Sequence, residues 1–159
     1  MDNRLLNRKK MKLCLVCSSG GHLLELHSLN ELWLQYERMW ITFPHQDSIS
    51  LLNGQMVFWA FCPTNRNLWN LFRNLYLALK ILRQENPDVI ISSGAGVAVP
   101  FILMGRILGK KTVYIELLTR VTTLSLSAKI LYFFVDHHLV QWPQLASKYR
   151  KAVFKGRII

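Results

Sequence analysis

The stretch Cys14-Leu15-Val16-Cys17-Ser18-Ser19-Gly20-Gly21-His22-Leu23-Leu24-Glu25-Leu26 begins as an apolar run, ends with helical spacing and sets two glycines and a histidine at the junction. An apolar run without alternation predicts a strand covered on both faces, which is the habit of parallel sheets joined by helical crossovers. The pattern recurs along the chain. Strands are expected over 12–17, 38–43, 55–61, 88–92 and 111–115, with weaker ones at 138–142 and 152–154. Helical periods fall at 23–35, 67–85, 97–108, 124–134 and 143–149, with Pro87 as a turn and Gly109 as a helix stop. Repeated βαβ units predict an α/β fold with a doubly wound parallel sheet.

Composition bounds what that sheet can serve. A chain of 159 residues, 51% hydrophobic and 18% charged, predicts one globular domain over 11–159 behind a basic disordered leader, 1–10, that carries Arg4, Arg8, Lys9 and Lys10. A net charge of +11 points to an anionic partner: nucleic acid, an anionic bilayer surface or a phosphorylated substrate. Nucleic acid is disfavoured, because aromatics do not alternate with cations along a strand and no binding motif is present. Three cysteines make no disulfide framework, and no signal-peptide order is seen, so a cytoplasmic location is expected. Cys14 and Cys17 match C-x-x-C, but that spacing sends strand side chains to opposite faces and predicts two core thiols. His45 and the His137–His138 pair lack metal-ligand spacing, so neither metal nor cofactor is expected.

In doubly wound sheets ligands bind beyond the carboxyl ends of the strands. Ser19, Gly20 and Gly21 stand at such a place, where glycines let the backbone approach a ligand and free N–H groups at the helix start favour an anion. His22 then becomes a candidate base. A tight turn with a locally packed His22 is the competing reading, and the residues leave both open. A second loop, Ser92-Ser93-Gly94-Ala95-Gly96, repeats the theme after the strand at 88–92. It is not a dinucleotide fingerprint, since Val99 replaces the third glycine, and the first loop lacks the Gly-Lys-Ser/Thr ending of a phosphate-binding P-loop. Glu116 follows a strand directly and is expected on the same rim, with a salt bridge to Arg120 as the alternative.

Taken together, the segments at 18–26, 63–101 and 109–149 resemble the membrane-associated acceptor-binding subunit of two-part glycosyltransferases. That family comprises ALG-fourteen-like proteins and the bacterial PssD and CpsF types of exopolysaccharide and capsule synthesis; the short chain is closer in outline to the bacterial ones. The resemblance implies a Rossmann-like domain similar to the N-terminal half of a GT-B glycosyltransferase, acting on a polyprenyl-diphosphate-linked sugar. It also implies a donor-binding partner subunit of the PssE/CpsG type that holds a UDP-sugar, with no metal required. On this basis Ser19, Gly20, Gly21, Ser93, Gly94, Gly96 and Arg120 face the acceptor diphosphate, while His22 and Glu116 are catalytic. Leu117-Leu118-Thr119 departs from the family's Ser-Phe-Ala before the retained Arg120. A non-catalytic anchor or enhancer of a partner enzyme is the alternative.

No apolar run reaches the roughly 18 residues that would suggest a bilayer span, so a peripheral position on the cytoplasmic face of the membrane is expected. On the helix at 67–85 the leucines Leu68, Leu71, Leu75, Leu79 and Leu82 are read as the buried face, and Trp69, Arg73 and Tyr76 as contacts with an anionic membrane surface. At the C-terminus Phe154, Ile158 and Ile159 are read as apolar anchors for the partner.

Overall fold

In the computed structural model, which describes residues 10–158, seven strands form one parallel sheet. They are β1 (Lys12–Val16), β2 (Glu37–Thr42), β3 (Val57–Trp59), β4 (Val89–Ser92), β5 (Lys111–Ile115), β6 (His137–Val140) and β7 (Ala152–Phe154). Between them lie α1 (Gly21–Ser28), α2 (Asn30–Trp33), α3 (Gln46–Leu51), α4 (Leu68–Glu85), α5 (Ala98–Ile107), α6 (Leu126–Leu131) and α7 (Pro143–Lys148). The spatial order is β3-β2-β1-β4-β5-β6-β7, the doubly wound, Rossmann-like arrangement. The expectations for residues 1–9 of the leader and for Ile159 lie outside the described residues.

Each face of the sheet has its own core, and β1 shows why. Cys14 and Val16 point into a cluster built with α4, α5 and α6, whereas Leu13, Leu15 and Cys17 join Leu23, Leu26 and Trp33 beneath α1 and α2. The C-x-x-C spacing thus separates the two thiols across the sheet. Both are free and fully buried, and burial pushes Cys17 up to about 12, so it is inert as a nucleophile.

Three local departures from the sequence reading have physical causes. The helix expected over 23–35 breaks after Ser28, where the Ser28 hydroxyl takes the Glu25 carbonyl and the Trp33 indole takes that of Leu26, so the backbone ladder loses its acceptors. A short helix, α3, stands between β2 and β3 where none was expected. On α4 the buried stripe is Asn70, Asn74, Ala78, Ile81 and Leu82, and Leu68 is 70% exposed. Of the five leucines read as the buried face, Leu82 is buried, Leu71, Leu75 and Leu79 are half-buried, and Leu68 is exposed because the helix begins against backbone and not against the sheet. Asn70 Nδ2 donates to the Pro63 carbonyl, and Asn74 both accepts from the Phe61 N–H and donates to its carbonyl, each at 2.9 Å.

Candidate functional site

The strand order reverses between β1 and β4, and the loops leaving those two strands diverge around a cleft of about 1030 Å³. Ser18, Ser19 and His22 come from the first loop, Ala95 and Gly96 from the second, and Arg120 and Ser125 from the segment after β5. The segment after β3 supplies Thr64, Asn65 and Arg66, which the sequence reading passed over. Nothing in local periodicity marks 62–67; only the Asn67 N-cap, which accepts from the Asn70 N–H at 2.9 Å, signals where it ends.

His22 sits in the first turn of α1 and bridges the two loops. Its Nδ1 lies 2.8 Å from the Ser93 carbonyl oxygen, and the Ser93 hydroxyl donates to the His22 carbonyl at 2.9 Å. A carbonyl can only accept, so Nδ1 carries the proton and Nε2 is the unprotonated nitrogen of the neutral ring. Burial lowers the imidazole below its ordinary value; the Ser93 bond opposes this and the Arg120 charge reinforces it. The ring is therefore held neutral, with a free lone pair, in the condition a general base requires.

The glycines divide into two kinds. Gly20 holds a φ of 75°, which favours glycine, and a Cβ at Gly20 or Gly21 would meet only open space. Gly94, at φ 112°, is buried, and a Cβ there would lie 2.6 Å from the Tyr114 hydroxyl and 3.1 Å from His22 Cε1. Gly94 thus makes room for the histidine and does not line the cleft. Ser93 is likewise turned inward, with its hydroxyl spent on His22. Gly96 does line the cleft, pressed against Thr64. The expectation that Ser93 and Gly94 face an acceptor diphosphate is corrected: they build the support beneath the first loop.

Two further expectations change. The N–H of Gly20 is not free, because Asp47 Oδ2 accepts from it at 2.6 Å. Glu116 is not on an open rim: it is 1% exposed, and its carboxylate accepts from Ser125 N–H at 2.9 Å, Ser125 Oγ at 3.1 Å and Leu117 N–H. No ion pair joins it to Arg120. Burial raises its carboxyl above the usual range, against the lowering by Ser125, Leu117 and Arg120. Glu25 is tied in nearby, accepting from Leu118 N–H at 3.1 Å and from Gln141 Nε2, whose amide also reaches the Glu116 carbonyl. These contacts hold the 117–125 segment, and with it Arg120, against the cleft.

Trp69 and Tyr76 are each 72% exposed. Arg73 is committed elsewhere, its guanidinium stacked 3.7 Å from the Phe61 ring. Phe154 is 38% exposed on the edge strand, but Ile158 is only half open: its N–H donates to Gln141 Oε1 at 2.9 Å and it packs on the core beneath α1. The tail is part of the fold as well as a candidate anchor. Among the described residues no group of three or more His, Cys, Asp or Glu could hold a metal ion, and no helix is long and apolar enough to cross a membrane.

A doubly wound parallel sheet with its cleft at the β1/β4 reversal defines a Rossmann-like domain; the solved Acinetobacter baumannii MurG shares this fold with a TM-score of 0.73 at 16% identity, over 84% of this chain and 42% of that one. More narrowly, the chain belongs to the family described as oligosaccharide biosynthesis protein Alg14 like, whose model matches residues 60–158. It is similar to the human UDP-N-acetylglucosamine transferase subunit ALG14, 39% identical over 54% of this chain and 43% of that protein. The mouse protein of the same description is 28% identical over 96% of this chain and 85% of its own length. The chain thus matches less than half the length of the human relative and of MurG.

Proposed function

We propose that this domain is the acceptor-binding subunit of a heteromeric glycosyltransferase. In this reading it holds a polyprenyl-diphosphate-linked sugar while a donor-binding partner presents a UDP-sugar. The observation that carries it is the cleft's mixed lining. His22, held neutral, Ser19, Arg66 and Arg120 line it together with the apolar Leu68 and Leu71 of α4, Val99 of α5 and Leu126 and Ile130 of α6. A diphosphate joined to a sugar and an isoprenoid chain presents the same mixture of anionic, polar and apolar groups. His22 Nε2 is assigned as the base for the acceptor hydroxyl, Arg120 and the first turn of α1 as diphosphate contacts, and Glu116 as a positioning residue.

The word subunit in the relatives' names supports a partner, which we take to be of the PssE/CpsG type, with exopolysaccharide or capsule synthesis as the setting. Exposed side chains on the same elements support membrane contact. Leu68, Trp69, Phe72 and Tyr76 on α4, Leu126 on α6 and Phe133 just after it are exposed aromatic and aliphatic side chains, with Lys80, Arg83 and Lys129 nearby in sequence. Such a surface sits in the headgroup region of an anionic cytoplasmic leaflet, where each cation is worth about 1 kcal/mol. The cleft then opens where the lipid tail already lies.

The test is reconstitution on membranes with radiolabelled UDP-sugars and a lipid-linked acceptor. Transfer is expected only when this chain and its donor subunit are both present. Tight UDP-sugar binding and full transfer by this chain alone would overturn the split reading, and unchanged turnover by a His22 variant would make the chain a non-catalytic anchor.

A further inference from the structure

Gln141 and Trp142 follow β6 directly, at the carboxyl edge of the sheet, and no step of the proposed reaction uses either. Trp142 Nε1 donates to the Leu118 carbonyl at 2.6 Å. The Leu118 N–H donates to the Glu25 carboxylate, which also accepts from Gln141 Nε2. Both backbone groups of Leu118 are thus pinned, one from α1 and one from the end of β6. Leu118 is the second residue of a turn closed by the Arg120 N–H on the Leu117 carbonyl at 3.0 Å, and Arg120 leaves that turn to line the cleft.

The direction of Arg120 depends on that turn. Its side chain is exposed, and among the described residues it has no hydrogen-bonded or carboxylate partner to hold it. A guanidinium meets phosphate through a planar fork, so a change in the peptide planes behind it costs one of two parallel hydrogen bonds. The tail closes over the residues that fix those planes. The Ile158 N–H donates to Gln141 Oε1 at 2.9 Å, and the Arg157 guanidinium stacks 4.0 Å from the Trp142 ring. Gln141 is buried, whereas Trp142 is half-buried, so the stacked Arg157 adds to what core packing does to confine the indole.

We propose that Trp142 is a positioning residue for Arg120, and that Arg157 and Ile158 act on Trp142 and Gln141 as a strap, so that the C-terminal end of the chain sets the cation that meets the bound diphosphate. The proposal rests on the acceptor-diphosphate reading above. It ties the tail to the cleft through a short series of contacts: Arg157 to Trp142, Trp142 to the Leu118 carbonyl, and the turn at 117–120 to the Arg120 side chain.

The measurement is a double-mutant cycle, read by calorimetric titration of the full chain with diethyl diphosphate at neutral pH. Arg120→Gln should weaken binding about tenfold, the scale of one charge-assisted hydrogen bond. Trp142→Phe keeps an aromatic ring beside Arg157 but lacks the indole N–H, and should weaken binding about threefold to tenfold. In the Arg120→Gln background the same change should cost less than about twofold, because no cation remains to be placed. Arg157→Ala, at an exposed residue, should weaken binding about threefold alone and make no measurable difference in the Arg120→Gln protein.

A merely structural support lowers affinity by the same factor in both backgrounds. That result, wild-type affinity in folded Trp142→Phe, or wild-type affinity in Arg120→Gln would overturn the role of Trp142. Wild-type affinity in Arg157→Ala would overturn the strap. Each leaves diphosphate binding by the cleft standing, whereas failure of the wild type to bind the probe would overturn that site and this proposal together. Thermal melts separate loss of fold from loss of placement, and if Trp142→Phe does not fold, the cycle between Arg157 and Arg120 decides alone.

Discussion

His22 and Ser93, distant in sequence, hold each other through two hydrogen bonds of opposite direction, ring to carbonyl at 2.8 Å and hydroxyl to carbonyl at 2.9 Å, across the point where the sheet reverses. The pair locks the tautomer and orientation of the imidazole before any ligand arrives. Such preorganisation is what a base on a loop otherwise lacks.

His22→Asn keeps a side-chain N–H for the Ser93 carbonyl but has no basic nitrogen. It should fold as wild type and lower turnover by about 10²–10⁴-fold in the reconstituted pair. Because burial holds the wild-type ring below its ordinary value, the base stays unprotonated at neutral pH. Turnover should therefore fall only as pH drops below about 6.5, the unperturbed imidazole value. A pH–rate profile already declining at pH 7.5 toward acid would contradict the assignment.

Gly94→Ala should cost about 1–3 kcal/mol of stability and displace His22, since the new methyl meets the Tyr114 hydroxyl at 2.6 Å at a φ of 112°. Adding Tyr114→Phe removes the nearest clashing atom and should recover part of the loss. Gly21→Ala, in open space, should leave stability within about 1 kcal/mol of wild type. Urea denaturation of the three variants separates these outcomes.

If Glu116 positions the 117–125 segment, Glu116→Gln should retain most turnover, because an amide oxygen still accepts from Ser125. Glu116→Ala should lose both turnover and roughly 1–3 kcal/mol of stability by removing the acceptor of the half-buried Ser125 N–H and hydroxyl. Equal, complete loss of turnover in both variants, with Gln fully folded, would return Glu116 to a direct chemical role.

His138 is buried between Tyr114 and Tyr132, neither ring nitrogen has a partner, and burial pushes its pKa down to about 4. The unfolded chain takes a proton on this ring near pH 6.5, whereas the folded one refuses it until about pH 4. Stability from this group is thus complete above pH 6.5 and lost as pH falls through that window, by up to about 3 kcal/mol. His138→Phe, which fills the site without titrating, should show a correspondingly smaller loss between pH 7 and pH 4.5. An identical acid dependence would refute this account.

The seven strands and the two-faced burial were legible because unbroken apolar runs such as Leu13–Cys17 and Val89–Ile91 have one stable setting, the interior of a parallel sheet. His22 was legible too, since its place after β1 follows from strand register alone. The reading failed where side chains meet backbone from afar. Asn70 and Asn74 look like solvent positions until the 61–63 segment folds onto them, and Ser93, Gly94 and Glu116 look like ligand contacts until His22, Tyr114 and Ser125 occupy them.

Local sequence by itself determined the parallel α/β sheet, the opposite faces of Cys14 and Cys17, and the position of the glycine loop at the strand ends, because each depends on the period of a short segment and the few backbone states open to it. Only the tertiary structure decided which nitrogen of His22 carries the proton, that Glu116 is an internal tie, and that α3 brings His45 to Ser19. Those depend on hydrogen bonds and burial between residues far apart in the chain, and such contacts exist only once the sheet has closed around them.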